Sequence, residues 1–211
     1  MSGELSMTIV LGLTGGIASG KSTADSFFIK KHIPVIDSDL IAHHILDIGE
    51  KGYNLVINYF GDQYLAANKT IDRAKLGKLV FNSPKDLAKL NEITHPLIFQ
   101  EIETKISQHK QENEPLIIVD APLLFESGGL SYCDRSLLIA VPEKMQVKRL
   151  IARNHITEAE ALKRINSQMP LAQKQKLADY VVTNTGTIKE LEDKLNELLL
   201  KLIKEDQYGM S

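Results

Sequence analysis

A single cysteine, Cys133, is all the thiol chemistry this 211-residue chain contains. That excludes an internal disulfide framework and any metal site built from several cysteines, and it makes a reducing cytoplasm the expected compartment. No apolar run approaches the length of a bilayer-spanning helix, so no membrane partner is expected. Met1 to Met7 carry one acidic residue and no basic cluster, unlike a secretory signal. They read as a disordered leader in which Met7 is a candidate natural start. An excess of positive charge is also missing. With a formal net charge of -2 there is no broad basic footprint for nucleic acid, so any anionic ligand must be held by local groups. Internal repeats and low-complexity tracts are absent as well. The remaining composition, 43% hydrophobic and 25% charged, is that of a globular chain with room for one core and a smaller inserted lobe.

Residues 9 to 23, IVLGLTGGIASGKST, are the organising stretch. A short apolar run enters a glycine-rich turn that ends in Gly20-Lys21-Ser22 at the start of a helical segment. Gly15 through Ser22 fit G-x-x-x-x-G-K-[ST] in the strand-loop-helix context that distinguishes a phosphate loop from a mere connecting turn. Glycines let successive N–H groups turn inward around one anion. The helix start adds its free N–H groups, Lys21 places an ammonium on the β/γ-phosphates, and the Ser22 hydroxyl suits Mg²⁺. Gly16, Ala18, Ser19, Gly20, Lys21, Ser22 and Thr23 are therefore the candidate nucleotide contacts.

Helical spacing follows over residues 21 to 31, with Pro34 as the stop. Val35 to Asp37 reads as a short second strand carrying Asp37 and Asp39 at its carboxyl end. In an open α/β sheet that end faces the ligand crevice, and on an extended segment two residues apart point to one side. Ser38 or Asp39 equally suits an N-cap for the next helix. From Leu40 to Asn113 the pattern is mostly helical, with Ser83-Pro84 as an N-terminal signal and His95-Pro96 as an interruption. The His95 imidazole can donate to a ligand or bond a backbone carbonyl, and the residues alone favour the structural role. Gln108 to Glu114 reads as a surface connection.

Pro115 to Asp120 reads as a strand buried on both faces, with Asp120 placed to hold Mg²⁺ directly or through water. The loop Ala121 to Gly129, with Pro122, Leu123, Leu124 and the carboxylate of Glu126, is either core packing or a substrate wall; composition favours packing. After a strand over Leu137 to Val141, a helix opening at Pro142-Glu143 carries Arg149 and Arg153 on one face, either reaching phosphates or forming a solvated edge. Thr157 to Glu160 forms a capping box for a helix carrying Arg164 and Gln168, and this helical hairpin is placed as a lid. Tyr180 to Asn184 is the last strand. Thr187 and Glu190 cap a final helix whose Ile188, Leu191, Leu195, Leu198 and Leu202 form one apolar stripe. Strands alternating with helices predict an α/β fold, a five-stranded parallel sheet covered on both faces.

A phosphate loop by itself permits motors, switches, helicases and small kinases. Asn184 is followed by Thr-Gly-Thr, not by an N-K-x-D-type base reader, which argues against a guanine switch; a helicase or transporter would need more chain. A compact kinase remains, since phosphoryl transfer needs one base, one metal and a few cations.

Taken together, GLTGGIASGKST (12 to 23), VIDSD (35 to 39), HP (95 to 96), PLLFE (122 to 126), RLIAR (149 to 153) with Gln168, and ADYVVTN (178 to 184) resemble the dephospho-CoA kinase family. The resemblance implies a P-loop NTP hydrolase-like core over 7–39, 114–141 and 176–206, a helical CoA-binding insertion over 40–113, and a lid over 142–175. It implies ATP-dependent phosphorylation of the ribose 3′-hydroxyl of dephospho-CoA with Mg²⁺ as cofactor. The other readings are a kinase of another nucleotide or small alcohol, or an ATP-binding regulator without turnover. By resemblance Asp39 is the general base, Asp37 helps to place Mg²⁺ or its waters, and Arg149 or Arg153 acts on ATP beside Lys21. His95 and the 122 to 126 loop (Pro122, Leu123, Leu124, Glu126) line the acceptor site, reversing the reading from the residues alone, and Asn184 lies near the adenine. The expected partner is dephospho-CoA, with no nucleic acid, in a monomer or small homo-oligomer. Two positions depart from the family pattern. Ala18 stands at a usual glycine, so a backbone angle open only to glycine is not required there, and Thr183 replaces a frequent aspartate.

Overall fold

The computed structural model describes residues 8–208, with side chains as far as Ile203; the leader expected over Met1 to Met7 lies outside that range. The chain divides into two compact units. One ends at Ile36 and resumes at Ile106, and the other is Asp37–Lys105.

The first unit is built on the sheet. Strand β1 (Ile9–Gly15) leads through the glycine-rich turn into helix α1 (Lys21–Lys30), and β2 (Val35–Asp37) follows. Beyond the second unit come β3 (Leu116–Asp120), β4 (Arg135–Ala140) and β5 (Tyr180–Thr183), in the order β2-β3-β1-β4-β5. β1 pairs in parallel with β3 and β4, and β4 with β5. All five residues of β3 are buried, as a continuous β-branched run requires when both faces of a parallel sheet are covered. Two carboxylates fasten strand ends. Asp134 Oδ2 accepts from Val10 N–H at 2.8 Å, and Asp179 Oδ2 accepts from both the N–H and the hydroxyl of Ser136 at 2.8 and 2.7 Å.

The last helix of this unit runs from Ile188 to Tyr208 and opens on the expected capping pair. Thr187 N–H donates to Glu190 at 2.7 Å, and Glu190 N–H donates to Thr187 Oγ1 at 3.2 Å. Leu191, Leu195, Leu198 and Leu202 are buried with Phe27, Phe28, Leu11 and Leu137. Each such leucine contributes roughly 1.5–3 kcal/mol by leaving water. Ile188 departs from the expected stripe: at the first turn it is 65% exposed, because the stripe reaches the sheet only from Leu191 onward.

In the second unit, α2 (Ser38–His44), α3 (Lys51–Phe60) and α4 (Arg73–Asn82) precede α5 (Pro84–Gln111), which continues into the first unit. Val56, Phe60, Ile71 and Leu76 form its core, with Leu90 and Ile93 packed against them. The pattern had not marked α4. The interruption expected at His95-Pro96 does not occur, since α5 continues through Pro96 to Gln111 and takes up part of the expected connection. A proline inside a helix costs about 3 kcal/mol. Burial of Leu90 and Ile93 before it and of Ile102 after it offsets that cost.

Back in the first unit, α6 (Glu143–Asn154) and α7 (Glu158–Ile165) follow β4. Thr157 and Glu160 form the expected capping box. Gln168 is not on α7, which stops at Ile165; it lies in the turn before an unforeseen short helix, α8 (Leu171–Leu177). The final helix described above is α9.

Candidate active site

Three side chains brace the phosphate loop from behind. Gln146 Nε2 on α6 donates to Ile17 O at 2.9 Å, and Asn184 Nδ2 after β5 donates to Ser19 O at 2.7 Å. Arg149 reaches Ala18 O at 3.5 Å and Asn184 O at 3.1 Å. In a trans peptide the carbonyl and the following N–H point in opposite directions. Tying the Ile17 and Ser19 carbonyls to the protein therefore aims the Ala18 and Gly20 N–H groups the other way, where an anion would sit. A β-carbon on Gly16 would strike Gln146 Nε2, and one on Gly20, at φ +96°, would strike Asn184 Nδ2.

Ala18 has φ +58°. The loop does use the left-handed region here, at a cost of roughly 1–2 kcal/mol for a residue with a β-carbon. Ala18 thus occupies an angle that favours glycine.

Lys21 opens α1, and its ammonium is turned onto the carboxylates of Asp120 and Asp25, the latter at 3.6 Å. Asp120 closes β3, the strand next to β1. Burial pushes its carboxyl up to about 7, against the opposing hydrogen bond and charge of Lys21. Its Oδ1 is buried and takes no hydrogen bond. A buried carboxylate oxygen in want of a partner, with the Ser22 hydroxyl as another hard oxygen donor, fits Mg²⁺. No group of three or more acidic, histidine or cysteine side chains suited to a metal occurs among the described residues. An ion here would therefore complete its shell with water and phosphate oxygens.

The other predicted site residues divide. Asn184 is buried and its side chain is committed to Ser19 O. Arg153 is exposed, with Nε donating to Asn154 Oδ1 at 2.9 Å. In the loop after β3, Leu124 is fully buried against Gly12, which is packing, while Leu123 is 49% exposed. Pro122 O accepts from Thr14 Oγ1 at 3.1 Å.

In the second unit, Asp37 and Asp39 do not share an extended segment, because α2 begins at Ser38. The N-cap is Asp37, not Ser38 or Asp39. Its Oδ1 accepts from Asp39 N–H at 2.8 Å and Leu40 N–H at 3.0 Å, which neutralises orphan donors of the helix start. Asp39 itself is exposed in the first turn. The His95 ring lies 5.6 Å from that of Phe99, and burial lowers its pKa below 6.5.

Sequence reasoning missed Gln146 and Lys174. Gln146 is buried four residues before the buried Leu150, so a polar residue on an apolar helical face was the available signal. Lys174 is buried on α8, a helix the pattern had not marked.

Comparison with known proteins gives the family. The model of the family described as Dephospho-CoA kinase matches residues 9–190. The dephospho-CoA kinase of Lactobacillus johnsonii is 55% identical over 196 residues, covering 93% of this chain and 99% of that protein. Among solved structures, a Thermus thermophilus protein superimposes with a TM-score of 0.79 at 32% identity, over 92% of this chain and 98% of that one. A dephospho-CoA kinase from Campylobacter jejuni gives 0.70 at 30% identity, over 97% of this chain and all of that one (100%).

Proposed function

Because this chain belongs to the dephospho-CoA kinase family, we propose that it transfers the γ-phosphoryl group of ATP to the ribose 3′-hydroxyl of dephospho-CoA. The products are CoA and ADP, and the reaction is the last step of coenzyme A synthesis. The observation that carries the reading is the braced phosphate loop, with Lys21 paired to Asp120 Oδ2 while Asp120 Oδ1 is buried without a hydrogen bond.

In this reading the β- and γ-phosphates take the loop N–H groups and draw the Lys21 ammonium from its carboxylates. Charge neutralisation and in-line placement are the main demands of phosphoryl transfer. Asp39 accepts the proton of the 3′-hydroxyl as the new P–O bond forms and the bond to ADP breaks. Ser22 and Asp120, with Asp37, would hold Mg²⁺, which would supply further charge neutralisation on the phosphates. Arg149 is committed to loop and strand carbonyls, which leaves the exposed Arg153, one helical turn on, to reach the phosphates. His95, whose charged form burial disfavours, and the outward Leu123 line the acceptor site. Residues 7–39, 114–141 and 176–206 serve as the nucleotide core, 40–113 as the acceptor domain and 142–175 as the lid. No helix among the described residues is long and apolar enough to cross a membrane, in keeping with a site of action in the cytoplasm.

The test is a steady-state assay of ADP release with dephospho-CoA, nucleoside monophosphates and gluconate, with the new phosphate located by NMR. Selective turnover of dephospho-CoA with phosphate on the 3′-oxygen is expected; preference for another acceptor overturns the reading. Asp39→Asn should lower kcat about a hundred- to ten-thousand-fold with ATP affinity nearly kept, the worth of a general base. Unchanged turnover would remove Asp39 from that role.

A further inference from the structure

One short stretch of the first unit is tied to both functional loops. At its start, Gln168 Oε1 accepts from Ile17 N–H in the phosphate loop at 3.0 Å. The next residue, Met169, donates its N–H to Glu126 Oε1 at 3.1 Å. At its end, Lys174 Nζ lies 2.9 Å from the same Glu126 oxygen and donates to Pro122 O at 3.2 Å. Gln168 thus holds the loop after β1, and Lys174 holds the loop after β3. Pro170 stiffens the link between them, and its carbonyl accepts from Lys174 N–H at 3.1 Å as α8 begins.

The burial of Lys174 is unusual. It is 0% exposed, a state lysine almost never reaches unless paired. For stability alone a buried ammonium is a poor choice even with Glu126 beside it, since an apolar residue of similar volume commonly does as well or better. What apolar residues cannot do is hold a named carbonyl and a named carboxylate at fixed positions. The stretch also borders a cavity of about 320 Å³ that touches Gly16, so its residues stand at the edge of the phosphate loop.

We propose that Lys174 is a positioning residue for phosphoryl transfer, acting with Gln168 as a strut that sets the spacing between the phosphate loop and the 122–126 loop. Lys174 need not touch either substrate; it acts through Pro122 and Glu126. The proposal rests on the reading that the 122–126 loop lines the acceptor site. Misplacing a reacting group by about 1 Å can cost a hundredfold in rate, which is the scale expected when the strut is cut.

The experiment compares Lys174→Met, the paired variant Lys174→Met/Glu126→Met, Gln168→Leu and Leu123→Ala by kcat, KM for each substrate and thermal midpoint. Lys174→Met is expected to lower kcat/KM for dephospho-CoA about 10- to 100-fold, with KM for ATP within about twofold. The paired variant also removes the Glu126 carboxylate that loses its cation. It should regain the thermal midpoint without regaining kcat/KM. Recovery of both together means a purely structural pair and overturns the proposal. Should Lys174→Met fail to fold, the paired variant decides at that end of the strut. At the other end, Gln168→Leu should lower kcat about tenfold at an unchanged thermal midpoint, and a kcat within twofold of the parent counts against the strut. Leu123→Ala separates the two readings. If it leaves KM for dephospho-CoA unchanged, the acceptor-loop reading fails, whatever the Lys174 variants do.

Discussion

The loops that leave β1 and β3 start from neighbouring strands, yet they are held by different means. The phosphate loop is gripped mainly by its carbonyls, at Ile17 by Gln146 and at Ser19 by Asn184, with Ile17 N–H held by Gln168. The 122–126 loop is gripped by one buried ammonium on Pro122 O and Glu126, with Thr14 Oγ1 on the same carbonyl. The difference follows from what each loop would present. A loop that offers N–H groups must have its carbonyls tied back, because each peptide plane couples the two. A loop that offers side chains, such as Leu123, can be fixed anywhere along its backbone.

The contrast can be broken first at Lys21. Lys21→Met should cost about 100- to 1,000-fold in kcat, the worth of one charged donor at the transition state, and should weaken ATP binding measured by titration. Next is Gly20→Ala, which adds a β-carbon at φ +96° against Asn184 Nδ2. Backbone strain of about 1–3 kcal/mol should raise KM for ATP roughly tenfold while KM for dephospho-CoA stays near its starting value. Equal effects on both would mean that strain at Gly20 is carried through the Gln168–Lys174 stretch to the second loop. Ala18→Gly works in the opposite direction. Removing the β-carbon at φ +58° should gain about 1 kcal/mol, read as a rise of roughly 2–4 °C in thermal midpoint. The smallest effect concerns Cys133, beyond the second loop. Burial first, and then Asp134, push its thiol up to about 12. Alkylation at pH 7 to 8 should therefore be far slower than for a free thiol, followed by mass spectrometry.

Much of the first unit was legible because its signals are local. The Gly15 to Ser22 motif, the buried run ending at Asp120 and the two Thr-x-x-Glu caps each depend on residues a few positions apart, and each formed as read. Errors fell where a local pattern met a tertiary choice. Pro96 marks a break in any isolated helix, yet burial on either side carries α5 through it. Asp37 and Asp39 read as neighbours on a strand, but the helix begins at Ser38, two residues earlier than that requires, and Asp37 becomes its cap.

From its sequence alone the chain declares a phosphate loop, a five-stranded parallel sheet and the residue types for phosphoryl transfer, because glycine freedom, β-branched runs and capping chemistry act over a few residues. Only the tertiary structure decided which polar side chains hold the loops. Gln146 and Gln168 reach Ile17 across 129 and 151 residues of chain, and Lys174 reaches Pro122 across 52. No sequence periodicity encodes such pairings; they exist because packing leaves a buried carbonyl or N–H that must find a partner.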